Sequence, residues 1–274
     1  QENGNGATDE ERMRLLRDIA IRALPAPRLL GDADHRAAFG AHVRRADAHE
    51  IAFERVMVEQ VRGQESSVLA RLNNKGAEAT ADEPFSLSEW TRKFRVAMRG
   101  VLRDLIQQVG DEEFDKLEGR AFDVDKAQVK REIERRSQRF AGHVNKTTRQ
   151  RLRRELGKGI EIGMKVEQLG SVVREVMGKR KVSVSRAGTI ARTEVNGAVN
   201  AARQLAWKQN PVVEMKEWIS SLDDRVRDSH AAIHGERVKL DEEFSNGLDH
   251  PGADGPPEET VNCRCSLRSV LIGA

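Results

Sequence analysis

Tyrosine is absent from these 274 residues, and aromatic side chains make up only 4% of them. Any core must therefore be filled mainly by Leu, Val and Ala, the balance of a helix-rich protein. Only two cysteines occur, Cys263 and Cys265. Lying two apart, they are too close for a disulfide of relaxed geometry, and they are read as paired thiols made in a reducing compartment. No run approaches the ~20 apolar residues of a membrane-spanning helix, so no membrane partner is expected. No basic start leads into an apolar segment, so no secretory signal is expected either. A phosphate-binding glycine loop is also missing.

What is present suffices for about two domains. The opening stretch, Gln1 to Asp9, is polar and rich in Gly and Asn, and residues 1–30 are expected to be a flexible lead-in. Because the first residue is Gln1, a processed product or a piece of a longer chain is expected. The net charge of +3 conceals a strong sorting of charge along the chain. Lys126 to Lys158 holds twelve Lys and Arg against three Glu, whereas Asp241 to Thr260 holds seven acids and no Lys or Arg.

Helical spacing dominates residues 31–209. From Ala33 to Val61, Phe39, Val43, Ala46, Phe53, Met57 and Val61 fall near one face. His35, His42 and His49 recur every seven residues beside that stripe, as a solvated boundary row or as a pH-sensitive seam. Gly63 to Pro84 is mixed in composition and is expected to include a loop. Ser86 and Glu89 fit a capping box, opening a helix on Trp90, Phe94, Ala97, Val101, Leu105 and Val109 that Gly110 should end. A third helix runs from Lys126 to Leu156, with Gly157 and Gly159 as its stop. A shorter one carries Leu169, Val172, Val173 and Val176. After a basic connector, Lys179 to Arg186, the last long helix spans Ala187 to Gln209.

Residues 210–274 differ in character. Glu214 to Ser220, Arg237 to Leu240 and Cys265 to Ile272 alternate like strands. Asp228 to His234 is one helical turn stopped by Gly235, and Ser245 to Val261 is a long acidic loop. The expected fold is mainly α, a helical body followed by a small C-terminal α+β domain.

Three constellations carry chemistry. The basic helix, with Arg149, Arg151, Arg153 and Arg154, suits non-specific contact with double-stranded DNA, although a solvated or partner-facing helix has the same charge pattern. His230 and His234 share one face of a turn, and with Cys263 and Cys265 they supply a donor set sufficient for tetrahedral Zn2+. The alternative leaves both cysteines as small buried hydrophobes and His230 as a hydrogen-bonded core residue. Asp223, Asp224, Arg225, Arg227 and His230 include acid, base and cation, yet no nucleophile is paired with them. A buried ion-pair network is the favoured account of that set.

Trp218-Ile-Ser-Ser-Leu-Asp-Asp-Arg225, Val226-Arg227, His230 and Gly235, followed by Asn262-Cys-Arg-Cys265, resemble in order and spacing the phage Mu F-like family of minor head proteins. The loop His250-Pro-Gly to Gly255-Pro-Pro-Glu-Glu is similar to the one that precedes Asn-Cys-Arg-Cys in many members. Upstream, Arg186-Ala-Gly-Thr-Ile-Ala-Arg192-Thr-Glu194 is similar to a helical segment of the family. The resemblance covers about Arg186 to Val270 and takes in Trp218, Asp224, Arg225, Arg227, Gly235, Asn262, Arg264, Arg192 and Glu194.

The resemblance implies a structural virion protein rather than an enzyme, assembled in the host cytoplasm and placed in the head interior or portal region. It implies several copies around the portal protein, contact with the major capsid or scaffold protein, and a part in DNA packaging or ejection. Some relatives carry Cys-x2-Cys where this chain has Arg227 and His230, which by position associates His230 with a metal. Others share the Arg/His form, which suits a hydrogen-bonded structural site. Some members are fused to a portal protein or a toxin domain, and only nine residues follow Cys265 here, so no toxin is expected. The competing expectations are a metal-dependent hydrolase or nuclease of the head, and a free DNA-binding module.

Overall fold

The apolar stripe that begins at Ala46, Phe53 and Met57 continues through Val68 and Leu72, all buried. Its helix accordingly runs on to Lys75, into the segment expected to include a loop, and that segment is interrupted at Gly76 and leaves the helix at Glu83. The computed structural model describes residues 32–117, 121–178, 180–221 and 226–273. Within them α1 (Asp32–Lys75) breaks only at Gly76, whose φ of 84° is a left-handed conformation that glycine adopts without strain. A short α2 (Ala77–Asp82) follows.

The cap expected at Ser86 is present: Ser86 Oγ accepts from the Glu89 N–H at 3.4 Å and opens α3 (Leu87–Lys116). Gly110 does not end this helix. It is buried in mid-helix because a Cβ there would overlap the ring of Phe122, so its small size serves packing rather than termination. Gly157 and Gly159 likewise lie inside α4 (Ala127–Glu161), where Gly159 leaves room for Leu169 and Met164. The left-handed residue beyond that helix is Gly163, with φ 73°. Then come α5 (Val166–Gly178) and α6 (Arg180–Trp207). The stretch expected as a basic connector is therefore helical from Arg180, and its side chains lie outside the described residues.

These helices share one core. α3 packs against α1, α4 and α6, while α5 packs against α1 and α4. At its centre Phe53 meets Phe140 edge-to-face at 5.2 Å, and Phe94 lies against the same ring at 6.5 Å.

Beyond α6 the chain forms a three-stranded antiparallel sheet in the order β2-β1-β3, from β1 (Val213–Ile219), β2 (Arg237–Lys239) and β3 (Ser266–Leu271). Two short turns of helix, α7 (Asp228–Ala232) and α8 (Pro257–Thr260), lie in the connections. A second apolar cluster gathers Trp207, Trp218, Phe244, Leu248, Cys263, Cys265 and Leu267. The protein is thus mainly α, a helical body followed by a small α+β unit.

The two parts meet along a polar face of α6. Asn200 Oδ1 accepts from the Leu267 N–H at 3.0 Å, and its Nδ2 donates to Cys265 O at 3.1 Å and Pro251 O at 3.2 Å. Asn196 donates to Cys265 O, Arg203 to Leu267 O, and Gln204 to Leu240 O. Backbone groups buried at such a seam require partners, and these four side chains supply them. Gly197 is the close-approach point: a Cβ there would overlap Gly252 O, and Gly252 itself has φ 73°.

Candidate metal centre

His230 stands on α7 because Arg227 starts the turn and its carbonyl accepts from the His230 and Ala231 N–H groups. Gly235, φ 82°, ends the segment and donates to Trp218 O at 2.8 Å, setting α7 over the sheet. Trp218 is fully buried and meets the His230 ring edge-to-face at 5.0 Å.

Asn262 has φ 58°, a left-handed conformation that Asn tolerates better than most residues. It turns the chain so that Cys263 and Cys265 enter the small core. Both sulfurs then face one nitrogen, with His230 Nδ1 lying 3.4 Å from Cys265 Sγ and 3.6 Å from Cys263 Sγ. The ring's other nitrogen, Nε2, is 2.9 Å from Glu259 Oε2, off the line of a regular hydrogen bond. The Ser221 N–H reaches Cys265 Sγ at 3.4 Å. A hydrogen bond from Cys263 carries the Cys265 thiol down to about 5, against burial and helped by His230 and the Ser221 N–H. Sharing that proton pushes Cys263 well above the ordinary thiol range, and burial adds to the rise. Together these three residues offer the nitrogen and sulfur donors that tetrahedral zinc takes.

Of the four residues expected to cluster, His234 does not join. Its Nδ1 accepts instead from Ser220 N and pairs with Ser220 Oγ, each at 3.1 Å. The shared helical face inferred from the i, i+4 spacing is lost because α7 ends at Ala232. Glu259, hidden in the acidic loop, takes the place beside His230. Asp223, Asp224 and Arg225, with the side chain of Arg186, lie outside the described residues.

A cavity of about 320 Å³ opens beside the cluster, bordered by Arg192, Arg227, Arg264 and Asn262. Arg227 Nη2 donates to Val261 O at 2.5 Å. Arg192 Nη1 donates to Asn262 Oδ1 at 3.2 Å, and the Asn262 N–H donates to Thr193 Oγ1 at 3.0 Å. Glu194 lies 3.5 Å from Arg139, and burial raises its carboxyl above the usual range.

The sorted charge has an internal counterpart. On α4, Arg135 and Arg139 both pair with Asp254 of the acidic loop, and fully buried Arg136 contacts His250 and Glu132. In the candidate DNA-contacting set, Arg153 pairs with Asp82 at 3.4 Å and Arg154 with Glu155 at 2.7 Å, both exposed, while Arg149 and Arg151 are half-buried. His42 of the histidine row is buried rather than solvated: it donates from Nε2 to Asn196 Oδ1 at 2.7 Å and accepts from Arg203 at Nδ1. His49 is partly exposed, and the His35 side chain lies outside the described residues.

Residues 150–268 match the family model described as "Phage Mu protein F like protein". Through this segment the chain is similar to the phage Mu F-like family. The family is one of phage head-morphogenesis proteins. Among curated proteins, the chain is 28% identical over 108 residues to the "NAD(+)--arginine ADP-ribosyltransferase EFV" of Enterococcus faecalis, covering 37% of this chain and 22% of that protein. It is 24% identical over 196 residues to the uncharacterized protein YqbB of Bacillus subtilis, covering 68% and 63%. It is 36% identical over 94 residues to an uncharacterized protein of Haemophilus influenzae, covering 33% and 19%. The aligned part thus spans less than two thirds of each relative's own length. No solved structure matches the chain. No helix among the described residues is long and apolar enough to cross a membrane.

Proposed function

We propose that the chain is a structural protein of the phage head that works beside the portal during assembly and DNA packaging or delivery. The observation that carries this is the use to which the family motif is put. Arg192 is tied to Asn262, and the carbonyl of Cys265 is held by Asn196 and Asn200. Motif residues therefore serve as joints between the helices and the small sheet, as expected of a part that must hold shape under load. The similarity to the phage Mu F-like family supports a place in the virion.

In this account residues 31–209 pack against the portal or the inner capsid wall, and residues 210–274 anchor to protein. Four α4 arginines outside the acidic-loop contacts, Arg149, Arg151, Arg153 and Arg154, approach packaged duplex DNA through its phosphates. Cross-linking mass spectrometry on purified heads tests the placement. Links from this chain to portal subunits are expected, and links confined to the outer capsid surface would contradict it.

A further inference from the structure

The buried ring of His230 has a different kind of neighbour at each nitrogen. At Nε2 stands the Glu259 carboxylate, which Ser229 Oγ also engages at 2.9 Å. A carboxylate beside one ring nitrogen, with the other nitrogen facing the ion, is the arrangement found behind metal-bound imidazoles. That other nitrogen, Nδ1, faces two sulfurs at 3.4 and 3.6 Å. Ligand atoms held ~2.0–2.3 Å from one tetrahedral ion stand about this far from each other. All three donor atoms lie within 4.8 Å of one another, and all three residues are buried.

We propose that His230 Nδ1, Cys263 Sγ and Cys265 Sγ hold a zinc ion, with Glu259 orienting the imidazole and the cavity beside them giving access to the fourth position. The soft sulfur and imidazole donors favour zinc over magnesium or calcium. The Ser221 N–H supplies the outer hydrogen bond that a ligating thiolate keeps. Arg192, Arg227 and Arg264 border the cavity, so the fourth ligand is a water or a small anion. The ion ties α7 to the approach of β3, and its binding energy becomes folding energy of the small unit. This assignment rests on the cluster's geometry and is independent of any portal role.

Without a metal, the line Cys265–His230–Glu259 is that of an activated thiolate, and one experiment separates the two. The chain is purified reduced and without chelator, its zinc is measured by mass spectrometry, and the ion is exchanged for Co2+. About one zinc per chain is expected, with thiolate-to-cobalt charge-transfer bands and the visible bands of a tetrahedral ion. Both cysteines should resist iodoacetamide until a chelator strips the metal. Cys263→Ser and Cys265→Ser should abolish the charge-transfer intensity in proportion to the sulfur lost. Glu259→Gln should weaken zinc affinity by ~10–100-fold, and His234→Ala should keep the full equivalent. Absence of zinc and of cobalt bands in the unmodified chain, with Cys265 alkylating at the same rate with or without chelator, would overturn the assignment. Because the unmodified chain gives that answer, a Ser variant that fails to fold does not blur it.

Discussion

Arg192 donates from Nη1 to Asn262 Oδ1 at 3.2 Å, joining residues 70 positions apart in sequence. One belongs to the long helix α6 and the other to the turn that delivers both cysteines. The two separated stretches of the family motif are therefore two sides of one joint, and the predictions concern how that joint behaves.

Asn200 is its most heavily used side chain. Substituting Ala takes away the Asn200 oxygen that accepts from the buried Leu267 N–H, while the Cys265 carbonyl keeps Asn196 and the Pro251 carbonyl keeps His250. Each buried group so orphaned costs ~1–3 kcal/mol. Asn200→Ala is expected to lower unfolding stability by about 1–3 kcal/mol in urea titration. A loss within ~0.5 kcal/mol, ordinary for a surface site, would show that the joint carries no stability.

Gly197→Ala should also destabilise, since its methyl group would overlap Gly252 O. Backbone cannot swing aside as a side chain does, and overpacking of this kind costs ~1–3 kcal/mol. Gly142, where nothing lies within 4 Å of the added methyl, is the matched control. Gly142→Ala should be neutral or slightly stabilising in the same thermal melt.

Much of this was legible in the sequence, and the failures have definite causes. The cap at Ser86 and the three strands follow from local pattern, whereas His230, Cys263 and Cys265 are grouped, together with His234, by donor identity, and His234 stands apart. Gly110 and Gly159 were misleading because a glycine that makes room for Phe122 or Leu169 looks in sequence like one that ends a helix. The polar face Asn196, Asn200, Arg203 and Gln204 lay within a helix legible only by its apolar positions. Its partners are backbone groups 36–69 residues away, which no periodicity reveals. Glu259 could not be distinguished from the other acids of its loop until α8 placed it against His230.

Two buried histidines contribute to the response to acid. Burial, reinforced by Arg203, holds His42 down at about 3, and burial with Arg136 holds His250 at about 4. Both folded-state values lie below the ordinary 6.5, so on acidification the unfolded chain takes up protons first. Their contribution to stability is full above pH 6.5 and is lost progressively toward pH 4 and then 3. Each ring contributes a slope of up to ~1.4 kcal/mol per pH unit. His42→Gln should flatten the dependence between pH 6 and 4, measured by urea unfolding at each pH. An unchanged slope would mean that His42 is not buried as a neutral ring.

Arg153 and Arg154 can be replaced together by Gln with little effect on folding, because their ion pairs are exposed and such pairs contribute at most ~1 kcal/mol. If these side chains meet DNA phosphates, the slope of log affinity against log salt falls by ~0.9 for each contact removed. An identical slope in fluorescence anisotropy with duplex DNA would place the DNA-facing surface elsewhere.

The most direct test of the central claim is quantitative mass spectrometry of purified heads, comparing the copy number of this chain with that of the portal subunit. A low, fixed ratio to portal, unchanged between preparations, is the result expected of a structural protein working beside the portal. Absence of the chain from mature and immature heads alike would contradict that account.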